Sequence, residues 1–355
     1  MASAVTLNDV AIAAGVSLAT ASRAINGSQD RSVRPELRDR VLRAAAELDY
    51  SPNAHAQAMV RGTTTSVGLV VHDIADPYFS SIAAGVMNAA AERGLSVTMA
   101  STARDPDKEL EYVTLMRRQR VQAIILAGSR VDDAAATSAL SAELDRFHTG
   151  GGLSAVVSQQ ALPTDTVDID NVNGAQDLAR ALHELGHRRF AVLAGRQELL
   201  TAQDRLAGFR AGLAEFGITL PETHIITSAF TRDGGHDGAL ELLRRELDVT
   251  CVYAVNDVMA VGAMAALREQ GLELPQDMAM AGFDDIATLR DITPGLTTVR
   301  IPLEEIGARA LDLALQPPGS QGAPRVHRVR GEVVFRDSTP RLPDRPHDPA
   351  AQGVR

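Results

Sequence analysis

The sequence predicts two fold classes in one chain: a small all-α N-terminal piece and a larger α/β body of doubly wound parallel sheets. Three observations carry this. Residues 1–50 read as three short helices with no strand. From Val67 onward, short β-rich runs alternate with amphipathic helical stretches such as Ser80–Arg93, Gly174–Leu185 and Asp204–Phe216, the order of an open α/β architecture. The strand candidates include Val67–Val71, Val97–Ala100, Ala123–Ala127, Ala155–Ser158, Phe190–Ala194, Ile225–Thr227, Val252–Val255 and Met278–Ala281, most of them near-continuous apolar runs. Runs of that kind mark parallel strands buried on both faces.

Composition narrows the class. The chain has 355 residues, 45% of them hydrophobic, with a mean hydropathy of −0.05, ordinary for a globular protein with a sizeable core. No apolar run reaches the roughly 18 residues of a membrane helix, and Met1–Val10 lacks the basic and apolar regions of a secretory signal. A single cysteine, Cys251, leaves no intramolecular disulfide and suits a reducing cytoplasm. Membrane protein, disulfide scaffold and zinc finger are excluded, and a cytoplasmic location is expected. The net charge of −10 is unevenly spread. Residues 1–62 hold seven Arg against six acids, a net +1, leaving −11 on the other 293. A few well-placed Arg on a small domain can still meet phosphate.

The first helix opens at Thr6-Leu7-Asn8-Asp9, a hydroxyl N-cap with an acid three residues on. It is apolar at Leu7, Val10, Ala11 and Ala14, and stops at Gly15. Gly15 supplies a positive φ for a tight turn, and Ser17 caps the next helix. That helix, Leu18 to Ile25, is expected to bury Ala21 and Ile25 and to leave Leu18, Ala19, Ser22 and Arg23 toward its exposed side. Two short helices with a Gly-containing turn form the helix-turn-helix signature, whose second helix presents its first residues to the major groove. A third helix begins at Pro35 and runs Leu37, Val41, Leu42, Ala45 and Leu48 at helical spacing to close a small core. A three-helix bundle that binds protein fits the same geometry.

Longer strings carry a resemblance. VTLNDVAIAAGVSLATASRAING, followed by SVRPELRDRVLRAAAELDYSPN, resembles the DNA-binding headpiece of LacI-type (lactose repressor family) transcription regulators, and the likeness continues to about Asp337. It implies a headpiece over 1–50, a hinge with a short helix over 51–64 and an effector-binding and dimerisation domain over 65–337. That domain resembles a two-lobed periplasmic sugar-binding protein, its subdomains interleaved as about 65–161 plus 291–322 and about 162–290 plus 323–337. The tail over 338–355 is Pro-, Arg- and Asp-rich and is expected to be disordered.

By the resemblance, Leu18 and Ala19 take the base-choosing positions. Both are apolar, so they can touch thymine methyls but make no bidentate hydrogen bond. Arg23 becomes the candidate for a guanine contact, and Thr6, Ser17, Thr20, Ser22 and Asn26 are candidates for positioning on phosphate. The loop Gly27–Ser32 is about two residues longer than the family's usual one. In the hinge, Asn53, Ala56 and Met59 fall at DNA-facing positions. Met59 stands where the family pushes an apolar wedge into the minor groove, and a helix this short is marginal until docked.

In the body, ligands of such folds sit beyond the carboxyl ends of the strands. The residues placed there are Asp73, Tyr78 and Phe79 after the first strand, Ser158 after the fourth, Asn256 and Asp284 after later strands, with Arg205 and Phe230 at family positions for hydroxyl gripping and aromatic stacking. An Arg, an Asn, an Asp and aromatics suit a neutral polyhydroxylated ligand. Asp257 and Asp285 read as caps or fold-keeping residues. Ser158-Gln159-Gln160 and Ile301 depart from the charged or polar residues of sugar-binding relatives, so a nucleobase or nucleoside corepressor stays open.

The resulting expectation is a repressor of carbohydrate uptake or catabolism genes. It would be a homodimer, released from a pseudo-palindromic operator by a small-molecule effector, with no cofactor, no metal and no membrane. A solute-binding protein is the rival of another class, and the headpiece argues against it. An enzyme has no Walker loop, GxSxG, HExxH or spaced Cys/His cluster to support it. Absence of C-terminal heptads favours a dimer over a coiled-coil tetramer.

Overall fold

The computed structural model describes residues 5–26, 33–50, 64–317 and 323–342. The chain forms two units that meet in sequence at Thr64 and Thr65. The hinge positions Asn53, Ala56 and Met59, the loop 27–32 and the side chain of Asn26 lie outside the described residues.

The first unit holds α1 (Leu7–Ala13), α2 (Leu18–Asn26) and α3 (Pro35–Glu47). Thr6 and Asp9 cap α1 reciprocally: the Asp9 N–H donates to Thr6 Oγ1 at 3.3 Å, and the Thr6 N–H to Asp9 Oδ2 at 2.8 Å. The turn follows with Gly15 at φ +61°. Ser17 Oγ accepts from the Thr20 N–H at 3.2 Å, capping α2. Val10, Ala11, Ala14, Ala21, Ala24, Val41 and Ala44 form the core. Two expectations need correcting. Ala24 rather than Ile25 is the second fully buried residue of α2, and Leu42 is 44% exposed. The buried stripe of α3 runs through 41 and 44, and a residue at 42 lies about 100° from 41, off that stripe.

The second unit contains two parallel sheets. The first has six strands: β1 (Ser66–Val71), β2 (Ser96–Ser101), β3 (Ala123–Ala127), β4 (Leu153–Val157), β5 (Asp165–Ile169) and β11 (Val326–Val329). Their spatial order is β11-β5-β4-β3-β1-β2. Its residues alternate between two cores, as the two-residue strand period dictates. Leu69, Val71, Ile125, Ala127 and Val157 join the larger core with α4 (Pro77–Glu92) and α11 (Leu303–Leu315). Val70, Ile124, Leu126 and Val156 join the smaller one, under α5 (Pro106–Arg118) and α6 (Ala134–Thr149). The second sheet comprises β6 (Phe190–Leu193), β7 (Ile225–Ile226), β8 (Cys251–Ala254) and β9 (Ala279–Ala281) in the order β7-β6-β8-β9. Around it lie α7 (Asn171–Glu184), α8 (Leu200–Ala214), α9 (Arg232–Arg244) and α10 (Asp257–Glu269). Strand order reverses between β1 and β3 in one sheet and between β6 and β8 in the other, and those reversals open crevices at the carboxyl ends.

The lobes exchange chain differently from the expected boundaries. β5 pairs with β4 and β11 with β5, so residues 165–169 and 326–329 belong to the first lobe. β10 (Thr298–Arg300) and β12 (Glu332–Val334) form an antiparallel pair that runs beside β9 through the Ala281–Thr297 bridge. The tail expectation is also corrected over 338–342. Ser338 is buried, with Oγ donating to the Met280 carbonyl at 2.6 Å and accepting from the Thr297 N–H at 2.8 Å. The Leu342 N–H reaches the Leu185 carbonyl at 2.8 Å. These hydroxyl and backbone bonds dock a segment whose composition offers little apolar area to bury. No helix among the described residues is long and apolar enough to cross a membrane.

Candidate functional site

Six of the eight expected effector residues converge on one cleft between the lobes. Tyr78, Phe79, Arg205, Phe230, Asn256 and Asp284 line it, together with His72, Asp76, Arg104, Ser129, Leu199 and Thr201.

The second lobe supplies a wall built on Arg205. Its guanidinium is 2% exposed. Nε–H donates to Asn171 Oδ1 at 2.8 Å, Nη1 to the Val255 carbonyl at 2.7 Å and Nη2 to Asp284 Oδ1 at 2.7 Å. The group lies 3.8 Å from the Phe283 ring centroid, a cation–π contact. Five N–H groups minus these three leave two for a ligand. Asp284 sits at φ +122°, strain that the fold holds by the Asp284 N–H to Val299 and Ile301 N–H to Asp284 backbone bonds. Burial pushes its carboxyl up to about 7, with Arg205 pulling against it. Asn256 caps α10 by accepting from the Met259 N–H at 2.9 Å, which leaves its amide N–H₂ for the cleft. Asp257 behind it accepts from the Thr298 hydroxyl at 2.7 Å and the Ile286 N–H at 3.0 Å, and Asp285 pairs with Arg300 and Arg336. Both hold the fold, as expected.

The first lobe supplies the opposite wall. Asp76 caps α4 by accepting from the Tyr78 N–H at 3.0 Å, and Tyr78 meets Phe79 edge-on at 4.9 Å. Ala103 and Arg104 both have positive φ, 53° and 64°, a paired turn that brings Arg104 back to the cleft. Arg104 reaches Asp76 at 3.5 Å and Asp73 at 3.7 Å. Across the rim, Val131 and Leu199 form an antiparallel bridge. The Leu200 N–H donates to the Arg130 carbonyl at 3.0 Å and the Asp132 N–H to the Glu198 carbonyl at 2.9 Å. The Thr201 N–H reaches Ser129 Oγ at 3.0 Å, and Gln159 Nε2 donates to Thr201 Oγ1 at 2.9 Å.

Two expected residues are placed elsewhere. Asp73 lies in an outer groove with Pro77, Thr231 and Ile286, and Ser158 turns its hydroxyl to Gln159 Oε1 at 3.3 Å. In each case the neighbour takes the place: His72 lines the cleft instead of Asp73, and Gln159 crosses to Thr201 and Asp204 instead of Ser158. Arg104, Ser129 and Thr201 were also missed; a single sequence gives no local signal for them.

In the first unit, considered by itself, Leu18 is 51% exposed and Ala19 is exposed. Ser17 and Thr20 hydroxyls bond each other at 2.9 Å. Arg23 Nε–H folds back to the Ala19 carbonyl at 3.0 Å.

Comparison with known proteins matches both units. Residues 6–53 match the family described as bacterial regulatory proteins, lacI family. Residues 64–330 match that of periplasmic binding proteins and the sugar binding domain of the LacI family. The HTH-type transcriptional regulator DegA of Bacillus subtilis (strain 168) is 33% identical over 94% of this chain and 98% of its own. A solved transcriptional regulator CelR–cellobiose complex is 32% identical, covering 94% and 99%, with TM-score 0.69. A lac repressor dimer bound to operator and the anti-inducer ONPF is 28% identical, covering 95% and 100%, with TM-score 0.82. The chain is a member of the LacI family of DNA-binding transcriptional regulators.

Proposed function

We propose that this regulator is a cytoplasmic, homodimeric repressor of carbohydrate uptake or catabolism genes, released from a pseudo-palindromic operator when a sugar binds between the lobes. The observation that carries the reading is the convergence of Arg205, Asn256 and Asp284 with Tyr78, Phe79 and Phe230 on one cleft, in a chain whose residues 6–53 match the LacI DNA-binding family. Each sugar hydroxyl both donates and accepts, and a site with the spare N–H groups of Arg205, the Asn256 amide and the Asp284 carboxylate answers both needs. Aromatic faces cover the apolar side of the ring. The cellobiose bound to the CelR relative is consistent with this chemistry.

Leu18, Ala19 and Arg23 read base edges, while Thr6, Ser17, Thr20, Ser22 and Asn26 fix the register on phosphate. Asn53, Ala56 and Met59 engage the operator centre. Two headpieces need a dimer and read half-sites about one helical turn apart, modified by a central kink. Ligand and operator are coupled by about 1–3 kcal/mol, reciprocally. The test is fluorescence-anisotropy binding to the DNA upstream of the chain's own gene at fixed salt, with a panel of sugars and purines. Release by a sugar is the expected result. Tighter binding with a purine reverses the control logic and names a corepressor, and absence of sequence-specific binding overturns the reading.

A further inference from the structure

Among the described residues the chain passes between the lobes three times, and Arg205 is bonded to two of the passages. The first is short. Ile169 closes β5 in the first sheet and Asn171 opens α7 in the second lobe. Asp170, between them, donates its N–H to the Val329 carbonyl at the end of β11 at 2.9 Å. Asn171 Oδ1 accepts Arg205 Nε–H at 2.8 Å. The second passage runs from β10 to α11. There the Ile301 N–H donates at 3.2 Å to the backbone carbonyl of Asp284, whose carboxylate holds Arg205 Nη2. The third, at Arg330 and Gly331, packs against the other two. Arg330 Nη2 donates to Asp177 of α7 at 2.7 Å, and a Cβ on Gly331 would stand 2.6 Å from Val299 and 2.7 Å from Ile301.

The helix itself does not call for an asparagine at 171. Asp170 already caps α7, its carboxylate accepting from the Asn173 N–H at 3.4 Å and from the Asn173 amide at 2.8 and 2.9 Å. Asparagine is also a middling helix former. Yet Asn171 is 6% exposed, and a buried amide is kept where hydrogen bonds offset its lost hydration. One turn on, Gly174 makes room for Phe283, the ring beneath the Arg205 guanidinium. A Cβ at 174 would stand 2.9 Å from Phe283 Cζ. The first turn of α7 is therefore shaped around Arg205 at two points.

A guanidinium is a planar, rigid fork of N–H groups. In Arg205 the Val255 carbonyl and Asp284 each take one N–H from a terminal nitrogen, which leaves one N–H on Nη1 and one on Nη2 for a ligand. A ligand that pulls on those turns the whole fork, and the Nε–H direction turns with it. Asn171 follows or loses its bond, and it stands two residues from the first sheet.

We propose that Asn171 is a positioning residue that carries occupancy of Arg205 to the first passage between the lobes, so that the operator response at saturating ligand depends on its side-chain oxygen. The proposal rests on the effector reading of the cleft.

The experiment combines isothermal titration with operator anisotropy of the full chain, on DNA upstream of its own gene. The probes are glucose, galactose, cellobiose, maltose, cytidine and adenosine. The one that changes wild-type operator affinity most is carried through at saturation. The variants are Asn171→Leu, the smaller Asn171→Ala, which removes the acceptor without adding bulk, and Asn171→Asp, which keeps an acceptor oxygen in place. Each response is a ratio of two operator affinities of the same variant, so a uniform loss of stability or of ligand affinity leaves it unmoved. A wild-type response of at least fivefold, the low end of typical couplings, is expected to fall below twofold in Asn171→Leu and Asn171→Ala. Asn171→Asp should restore it to within about twofold of wild type. Ligand-free operator affinity should stay within about twofold throughout, showing that the variants fold. A full response at saturation in Asn171→Ala, whatever its ligand affinity, overturns the proposal and leaves the sensor reading standing. Equal loss in all three variants also overturns it, because the acceptor oxygen is then not what matters. If no probe changes wild-type operator affinity, the saccharide and nucleoside effector reading falls, and this inference with it.

Discussion

The two walls of the cleft are held by different means. In the second lobe Arg205 makes three hydrogen bonds of 2.7–2.8 Å to Asn171, Val255 and Asp284 before any ligand arrives. In the first lobe Arg104 has long ion pairs of 3.5 and 3.7 Å, and His72 lines the cleft beside it. One wall is preorganised by its own bonds; the other keeps its hydrogen-bonding capacity in reserve. A sensor needs both. Fixed donors set which hydroxyls are accepted, and groups satisfied only by ligand give the bound, closed state its advantage over the open one.

The largest effect that separates the walls is expected at Arg205. Truncation to Ala leaves the Asp284 carboxylate buried without its cation, and such a loss costs about 3–5 kcal/mol. Arg205→Ala is therefore expected to unfold at markedly lower denaturant as well as to lose the effector response. The double variant Arg205→Met/Asp284→Asn removes both charges and keeps a side chain that tolerates the positive φ at 284. It should regain most of that stability and bind operator, yet remain blind to ligand. Denaturant melts and operator anisotropy on the same samples give the answer. A double variant that responds normally to ligand would move Arg205 and Asp284 out of the binding site and into the frame.

What could be read from sequence divides along the same line. Asn256 and Asp284 were found because β-rich apolar runs end just before them, and strand ends are where this architecture binds; Arg205 came from the family resemblance. The first-lobe wall was half legible. Tyr78 and Phe79 stand at a Pro-started helix, but His72 was passed over for Asp73, because the residue after a strand is chosen by the pleat rather than by residue type. Arg104 arrives through two consecutive positive-φ residues, and neither Ala nor Arg announces such a turn. The lobe boundaries were missed for a related reason. β5, β11 and β12 are short and of mixed polarity, and their pairing is set by distant partners. Ser338 and Thr339 show the same limit: hydroxyls docking on backbone leave no hydrophobic period to detect.

His72 gives a middle-sized effect that sharpens the view of the first wall. The folded ring is held at about 3, against about 6.5 in an unfolded chain. Between those values the unfolded state binds the extra proton, so stability falls as pH drops below 6.5 and the loss is complete only near the folded value. Glu109 opposes the shift, and Arg130 and Arg104 support it. His72→Asn is expected to show a pH dependence of stability flatter by up to one proton between pH 6 and 5, on the order of 1.4 kcal/mol per unit. Denaturant melts at half-unit steps measure the slope, which is independent of any constant packing loss. Parallel slopes for the two proteins would mean that the ring is solvated enough to protonate in the folded state.

The smallest change in stability is expected at Arg104, and for that reason it is the sharpest test of reserved capacity. Its ion pairs, at 3.5 and 3.7 Å, are long beside the 2.7 Å pair of Arg205 and are expected to contribute less. Arg104→Ala should leave the unfolding midpoint nearly where it was and leave ligand-free operator binding unchanged. Affinity for the tightest-binding saccharide should fall at least tenfold, about 1.4 kcal/mol, because the side chain lines the cleft and its ion pairs are longer than those of Arg205. Arg205 and Arg104 would then separate cleanly, one costing fold and ligand together, the other ligand alone. If Arg104→Ala instead destabilises the chain by 3 kcal/mol or more with ligand affinity intact, the cation is a brace for Asp73 and Asp76. The two walls would then share one design, and ligand selection would rest on His72 and the second lobe.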